Sequence, residues 1–81
     1  MAEHQVLSPL PGIFYRRPAP DKPAYKNDGD RVAEGDVIGL IEVMKQFTEI
    51  NADATGKVVR FLVENEAPVE AGDPVLIIET G

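Results

Sequence analysis

The chain has 81 residues, 43% of them hydrophobic and 27% charged, which suits one folded domain with a single core and leaves little room for a deep catalytic cleft. Fourteen acidic against eight basic side chains give a formal charge of -6, which repels phosphate backbones and anionic lipid, so neither nucleic acid nor a membrane is an expected partner. The lack of cysteine removes a disulfide framework and a thiolate zinc site and accords with a reducing, cytoplasmic setting, while no apolar run approaches the roughly 20 residues of a membrane helix and the N-terminus does not read as a signal peptide.

Short runs rich in Val, Ile, Phe and Tyr alternate with clusters of Gly, Pro, Asn and Asp, and helical periodicity is absent. This is the pattern of an all-β sandwich or barrel. Eight strands are expected near residues 4–8, 12–16, 31–32, 37–43, 46–51, 56–63, 68–69 and 74–79. The first holds the one histidine, His4, and ends at Ser8. Between the second and third, residues 17–27 include Pro18, Pro20 and Pro23. Proline lacks a ladder donor, so this segment is expected to stand out as a loop, stiffened by its prolines. The fourth and fifth strands read as a hairpin closed by Met44-Lys45. One of its faces would carry Ile41, Val43, Gln46, Thr48 and Ile50, and the other Leu40, Glu42, Phe47 and Glu49.

An internal repeat organises these elements. Val32-Ala33-Glu34-Gly35-Asp36 and Val69-Glu70-Ala71-Gly72-Asp73 share Val-x-x-Gly-Asp, each followed by apolar residues and Ile-Glu, at an offset of 37. Upstream, residues 8–15 align with 52–59 at an offset of 44. The seven-residue difference places an insertion in the first half, within the proline-rich segment. Two similar β halves imply a quasi-twofold sandwich in which each buries its apolar face against the other.

Met44-Lys45 sits where a two-residue hairpin would favour Asn-Gly, because a type I′ turn needs positive φ at both positions. Such a departure marks either a different turn or a use for these side chains. Lys45 is then an idle surface lysine or one that another enzyme modifies. Little else in the chain supports active-site chemistry. His4 and Ser8 have no evident catalytic partner, one histidine without cysteine cannot build a zinc site, and the seven dispersed glycines form no phosphate-binding loop. An acylated lysine on a hairpin tip would instead present a cofactor whose chemistry the protein lacks.

Glu42-Val43-Met44-Lys45-Gln46 resembles the attachment signature of the biotinyl domains of biotin-dependent carboxylases, Glu-Ala-Met-Lys-Met or a close variant. Ser8-Pro9-Leu10-Pro11-Gly12 resembles that family's first-strand motif. Tyr15-Arg16-Arg17-Pro18-Ala19-Pro20-Asp21 is similar to the start of the thumb insertion of bacterial acetyl-CoA carboxylase carrier proteins. The resemblance spans nearly the whole chain. It implies a single biotinyl domain over 1–81, a flattened β-barrel or sandwich of two four-stranded antiparallel sheets with quasi-twofold symmetry and a thumb at about 17–27. It further implies biotin in amide linkage to Lys45, with Glu42, Val43, Met44 and Gln46 read by a biotin protein ligase and other partners.

On the same resemblance, a separate biotin carboxylase would use ATP and bicarbonate to carboxylate the cofactor. A carboxyltransferase would pass the carboxyl group to an acyl-CoA or another acceptor, acetyl-CoA in the thumb-bearing carriers of fatty acid biosynthesis. The chain itself would be a carrier without catalytic or metal-binding residues, and thumb residues Pro18, Ala19, Pro20, Asp21, Lys22 and Pro23 would cover the biotin between visits. Val43 and Gln46 depart from the usual alanine and methionine, and Gln46 is expected to slow ligation rather than prevent it. The competing readings are a lipoyl domain, which usually has aspartate before its lysine and lacks the thumb, and an unmodified adaptor with the same fold.

Overall fold

All eight expected strands form in the computed structural model, which describes residues 2–81. They are β1 (Ala2–Leu7), β2 (Gly12–Tyr15), β3 (Arg31–Val32), β4 (Val37–Val43), β5 (Gln46–Asn51), β6 (Gly56–Phe61), β7 (Ala67–Val69) and β8 (Pro74–Thr80). Two boundaries differ from expectation by two residues for local reasons. The first strand starts at Ala2 because Ala2 pairs with Thr80. The sixth stops at Phe61 because the chain bends at Leu62 and Val63 toward a turn. Among the described residues there is no helix, and so none long and apolar enough to cross a membrane.

The strands form two antiparallel four-stranded sheets, ordered β1-β8-β6-β3 and β5-β4-β2-β7. Exchanging β1–β4 with β5–β8 maps one order onto the other, which is the quasi-twofold symmetry read from the repeat. Paired turn contacts carry the symmetry into detail. Gly35 N donates to Ala52 O as Gly72 N donates to Ser8 O, each at 2.8 Å. Ala33 N donates to Asp36 Oδ2 at 2.9 Å as Glu70 N donates to Asp73 Oδ2 at 2.8 Å. The shared Gly-Asp thus builds the same turn twice. Gly12 and Gly56 are also counterparts, since an added Cβ would collide with the Glu42 carbonyl in one half and the Glu79 carbonyl in the other.

The inner faces bury one continuous apolar core that includes Phe14, Ile38, Ile41 and Ile50 from one sheet and Val6, Val58, Leu76 and Ile78 from the other. Register shifts leave Ile38 and Val75 as extra residues at equivalent places in β4 and β8, and both are fully buried. These shifts let two consecutive apolar residues turn inward.

The insertion is a loop, as its prolines demand. Tyr25 N donates to Arg16 O at 2.9 Å and closes its base. Residues 18–26 stand where the second half has only Leu62 and Val63. The turns that follow are again counterparts, with Gly29 N donating to Val58 O at 2.7 Å and Glu66 N to Phe14 O at 2.6 Å.

Candidate functional site

The β4–β5 hairpin has the register Val43↔Gln46, Glu42↔Phe47, Ile41↔Thr48, Leu40↔Glu49 and Gly39↔Ile50. Cross-strand partners share a face, so the two faces are those expected from the sequence. Ile41 and Ile50 are buried in the core, but Gln46 and Thr48 on the same face are exposed. The end of the hairpin therefore projects beyond the opposing sheet. At its tip Met44 and Lys45 have φ of 51° and 67°, the positive values a type I′ turn requires of both central residues. The turn is the tight one, made with side chains poorly suited to it.

Met44 is 91% exposed, Lys45 is exposed, and among the described residues Lys45 makes no side-chain hydrogen bond or ion pair. Its amine is presented to solvent without a competing partner.

The outer face beside the tip is more structured. Tyr15 Oη donates to Glu42 Oε1 at 2.7 Å, and the Tyr15 and Phe47 rings meet edge to face at 5.8 Å between centroids. The Glu42 carboxylate that accepts this bond holds the Tyr15 phenol above its ordinary value of 10.0, with burial and the charges of Glu42 and Glu66 acting in the same direction. Glu42 is thereby fixed along the hairpin, turned to Tyr15.

Between this face and the thumb lies a cleft of about 310 Å³ lined by Tyr15, Arg17, Pro18, Ala19, Pro20, Phe47, Asn65 and Glu66. Phe47 follows Lys45 by two residues, about 7 Å along a strand, so the cleft opens beside the tip. The thumb is held over it from its base. Arg16 stacks on Phe61 with its guanidinium carbon 4.1 Å from the ring centroid, and its Nη2 donates to Lys26 O at 3.4 Å. Lys26 Nζ in turn lies 3.3 Å from Asp36 Oδ2 and donates to Arg31 O at 3.0 Å. The bond from Ala33 N, and then Lys26, hold the Asp36 carboxyl below its ordinary value against a smaller opposing effect of burial.

The structure brings Glu42, Val43, Met44, Lys45 and Gln46 together at one hairpin end. Of the thumb residues singled out in the sequence, Pro18, Ala19 and Pro20 face the cleft, while Asp21, Lys22 and Pro23 are exposed and do not line it. Sequence reasoning did not assign Tyr15, Arg17, Phe47, Asn65 or Glu66 to the site. One signal was available for Glu66, which stands at the repeat position of Gly29 and shares its positive φ, 67° against 90°. Ser8 and His4 are accounted for elsewhere. The Ser8 hydroxyl, buried, donates to Leu10 O at 2.6 Å, and His4 Nε2 lies 2.7 Å from Asp53 Oδ1 on the surface. No group of His and acidic side chains suited to a metal ion occurs among the described residues.

Residues 4–78 match the family model described as biotin-requiring enzyme. Over 75 residues the chain is 43% identical to the biotin carboxyl carrier protein of acetyl-CoA carboxylase from Nostoc sp., covering 93% of this chain and 41% of that protein. It is 37% identical over 79 residues to the protein of the same name from Haemophilus influenzae, covering 98% and 51%. A third relative, from Arabidopsis thaliana, is a chloroplastic biotin carboxyl carrier protein, 40% identical over 91% of this chain and 26% of its own length. The chain thus spans between about a quarter and a half of these proteins. Among solved structures, the urea carboxylase of Kluyveromyces lactis superposes with a TM-score of 0.78 at 33% identity, over 98% of this chain and 6% of that one. A single-chain, multi-domain long-chain acyl-CoA carboxylase also superposes with a TM-score of 0.78, at 25% identity over 98% and 7%.

Proposed function

The chain belongs to the family of biotin-requiring enzymes, and from that membership we propose that it is a biotin carboxyl carrier, with biotin in amide linkage to Lys45 Nζ. The observation that carries this reading is the tip itself, an unpaired lysine amine beyond the sandwich on a tight turn with positive φ at two non-glycine residues. Positive φ at such residues is a local cost that persists where the position has a use. A free lysine needs only an exposed amine. A ligase that recognises a folded hairpin needs the side chain fixed in direction, and the turn provides that.

The residues around the tip fit the cofactor. Tyr15, Phe47, Pro18 and Pro20 offer apolar faces, and Arg17, Asn65 and Glu66 offer polar edges, in a cleft at the small end of the range for small-molecule sites. The tethering side chain has a four-carbon stem, and Phe47, two residues along β5, would be among the first residues to meet a ring attached to it. When bound, biotin supplies a ureido nitrogen that accepts and gives up a carboxyl group. The protein's part is presentation. Attachment to Lys45 replaces solution encounter with a high effective concentration at each partner's active site, and amide formation removes one positive charge from an already anionic domain.

In this reading a biotin protein ligase reads Glu42, Val43, Met44 and Gln46 with Lys45. A biotin carboxylase loads the cofactor, and a carboxyltransferase unloads it to an acceptor. Acetyl-CoA is the proposed acceptor, supported by the names of the Nostoc and Haemophilus relatives. Pro18, Ala19 and Pro20, which line the cleft, would cover the tethered ring between visits.

Coexpression with a biotin protein ligase and supplied biotin tests the proposal by intact mass and peptide mapping. One biotinyl mass on the peptide containing Lys45, absent in Lys45→Arg, is expected. An unmodified chain, or one that accepts lipoate from a lipoyl ligase instead, would overturn it. Replacing residues 18–26 by Leu-Val, as in the second half, should leave this mass in place and speed the loss of the carboxyl group.

A further inference from the structure

Two consecutive arginines enter the thumb, and only the first has a structural task. Arg16 stacks on Phe61 and bonds Lys26 O. Arg17 lines the cleft, and although its Nε and that of Arg16 are both buried without a hydrogen-bond partner, only Arg17 also lacks a ring to stack on, a carbonyl to donate to and an ion pair among the described residues. The repeat places Phe61 at the equivalent position of the second half, so the fold does not require a cation there. A guanidinium held among prolines and aromatic rings, in a cleft that Phe47 lines two residues after Lys45, and without a partner of its own, is suited to an anion that arrives and departs.

We propose that Arg17 binds the carboxylate of the carboxyl group in transit, through paired N–H bonds, while the tethered ring rests in the cleft. The proposal rests on the carrier reading of Lys45. A planar guanidinium matches a carboxylate with two parallel bonds. The need for a cation is local, because the chain carries a net charge of -6 and Glu66 lines the same cleft. Arg17 therefore favours the loaded state over the unloaded one, whose ring is uncharged.

This preference slows wasteful loss. When the cargo escapes, the bond from ring nitrogen to carboxyl carbon breaks and carbon dioxide leaves. The bonding electron pair remains on the nitrogen, which takes a proton from water. Negative charge leaves the carboxylate as that bond breaks, so a guanidinium paired to it stabilises the starting state more than the transition state.

The test uses wild type, Arg17→Gln and Arg17→Lys, each biotinylated and checked by mass. Each is loaded by a biotin carboxylase with ATP and isotopically labelled bicarbonate and then freed of enzyme. Release of label is timed, and ¹H–¹⁵N spectra are recorded before and after loading. Arg17→Gln is expected to lose label roughly threefold to fivefold faster, as a partly exposed ion pair would give, with Arg17→Lys between. Loading should shift the Arg17 Nε–H resonance in wild type, and backbone spectra of the unloaded variants should match wild type outside the cleft. Equal lifetimes on fully biotinylated chains, or an Arg17 Nε–H resonance indifferent to loading, would overturn the proposal and leave the carrier reading standing. A chain that takes no biotin at Lys45 would overturn both.

Discussion

Met44 and Lys45 show how a residue can violate a local preference and still be right for the molecule. Left-handed backbone costs a non-glycine residue roughly 1–2 kcal/mol, and both residues adopt it, at φ of 51° and 67°. The mismatch was legible, because Met-Lys between two apolar runs is poor turn chemistry, and it pointed to Lys45, the lysine proposed to carry the cofactor. The neighbours of that lysine were not legible. Tyr15 reaches Glu42 across 27 positions, and Arg17 and Phe47 line one cleft only because the loop carrying Arg17 turns back beside the hairpin. No spacing rule encodes either contact. The strain itself can be measured. Asparagine tolerates positive φ, so Met44→Asn should stabilise the domain by about 0.5 kcal/mol or more in urea unfolding while slowing biotinylation through loss of the methionine side chain. A lowered unfolding midpoint would show that the turn is not strained at Met44.

Among the elements, the thumb was found by arithmetic on the repeat, and its proline content ruled out a strand. Its orientation was not predictable. That depends on Arg16 closing the base with Tyr25 and on Lys26 reaching Asp36 and Arg31, contacts between segments that no periodicity links. The register shifts at Ile38 and Val75 escaped for a similar reason, since an extra buried apolar residue looks like ordinary strand composition. Asp36 joins the repeat's turn to the thumb, and acid should loosen both. Its pKa is lowered in the folded chain, so as pH falls the unfolded chain takes up this proton first. The stabilising contribution is fully present above the unfolded value near 3.8 and is lost as pH falls through the lower folded value. Thermal unfolding followed from neutral pH to below that window should show an acid decline that Asp36→Asn makes shallower. The same acidification should lower the protection factor of the Tyr25 N–H, the exchange rate of an open chain at the same pH divided by its own, because its bond to Arg16 O closes the base of the thumb. An equally steep decline in the variant would assign the acid sensitivity to other carboxylates.

At the scale of the whole molecule, the hairpin that carries Lys45 belongs to only one of the two sheets that share the core. The repeat made this legible in outline, because neither half has a second apolar layer of its own. Ile41 and Ile78 are repeat partners at an offset of 37, one within the β4–β5 hairpin and the other in the opposite sheet, and both are fully buried in the same cluster. Truncating either to alanine should cost about 2–5 kcal/mol. That is a large part of the roughly 4–12 kcal/mol expected for 81 residues. If the core is one cooperative unit, circular dichroism in urea should show a single transition for each variant, with midpoints lowered to a similar extent. Biotinylation should then fall with the folded fraction in both, although Ile78 lies in the sheet that does not contain the hairpin. Two separate transitions in Ile78→Ala, with full biotin acceptance between them, would show that the β5-β4-β2-β7 sheet holds the hairpin in shape alone. A single transition would mean that the direction of the lysine depends on the far sheet as much as on its own strands.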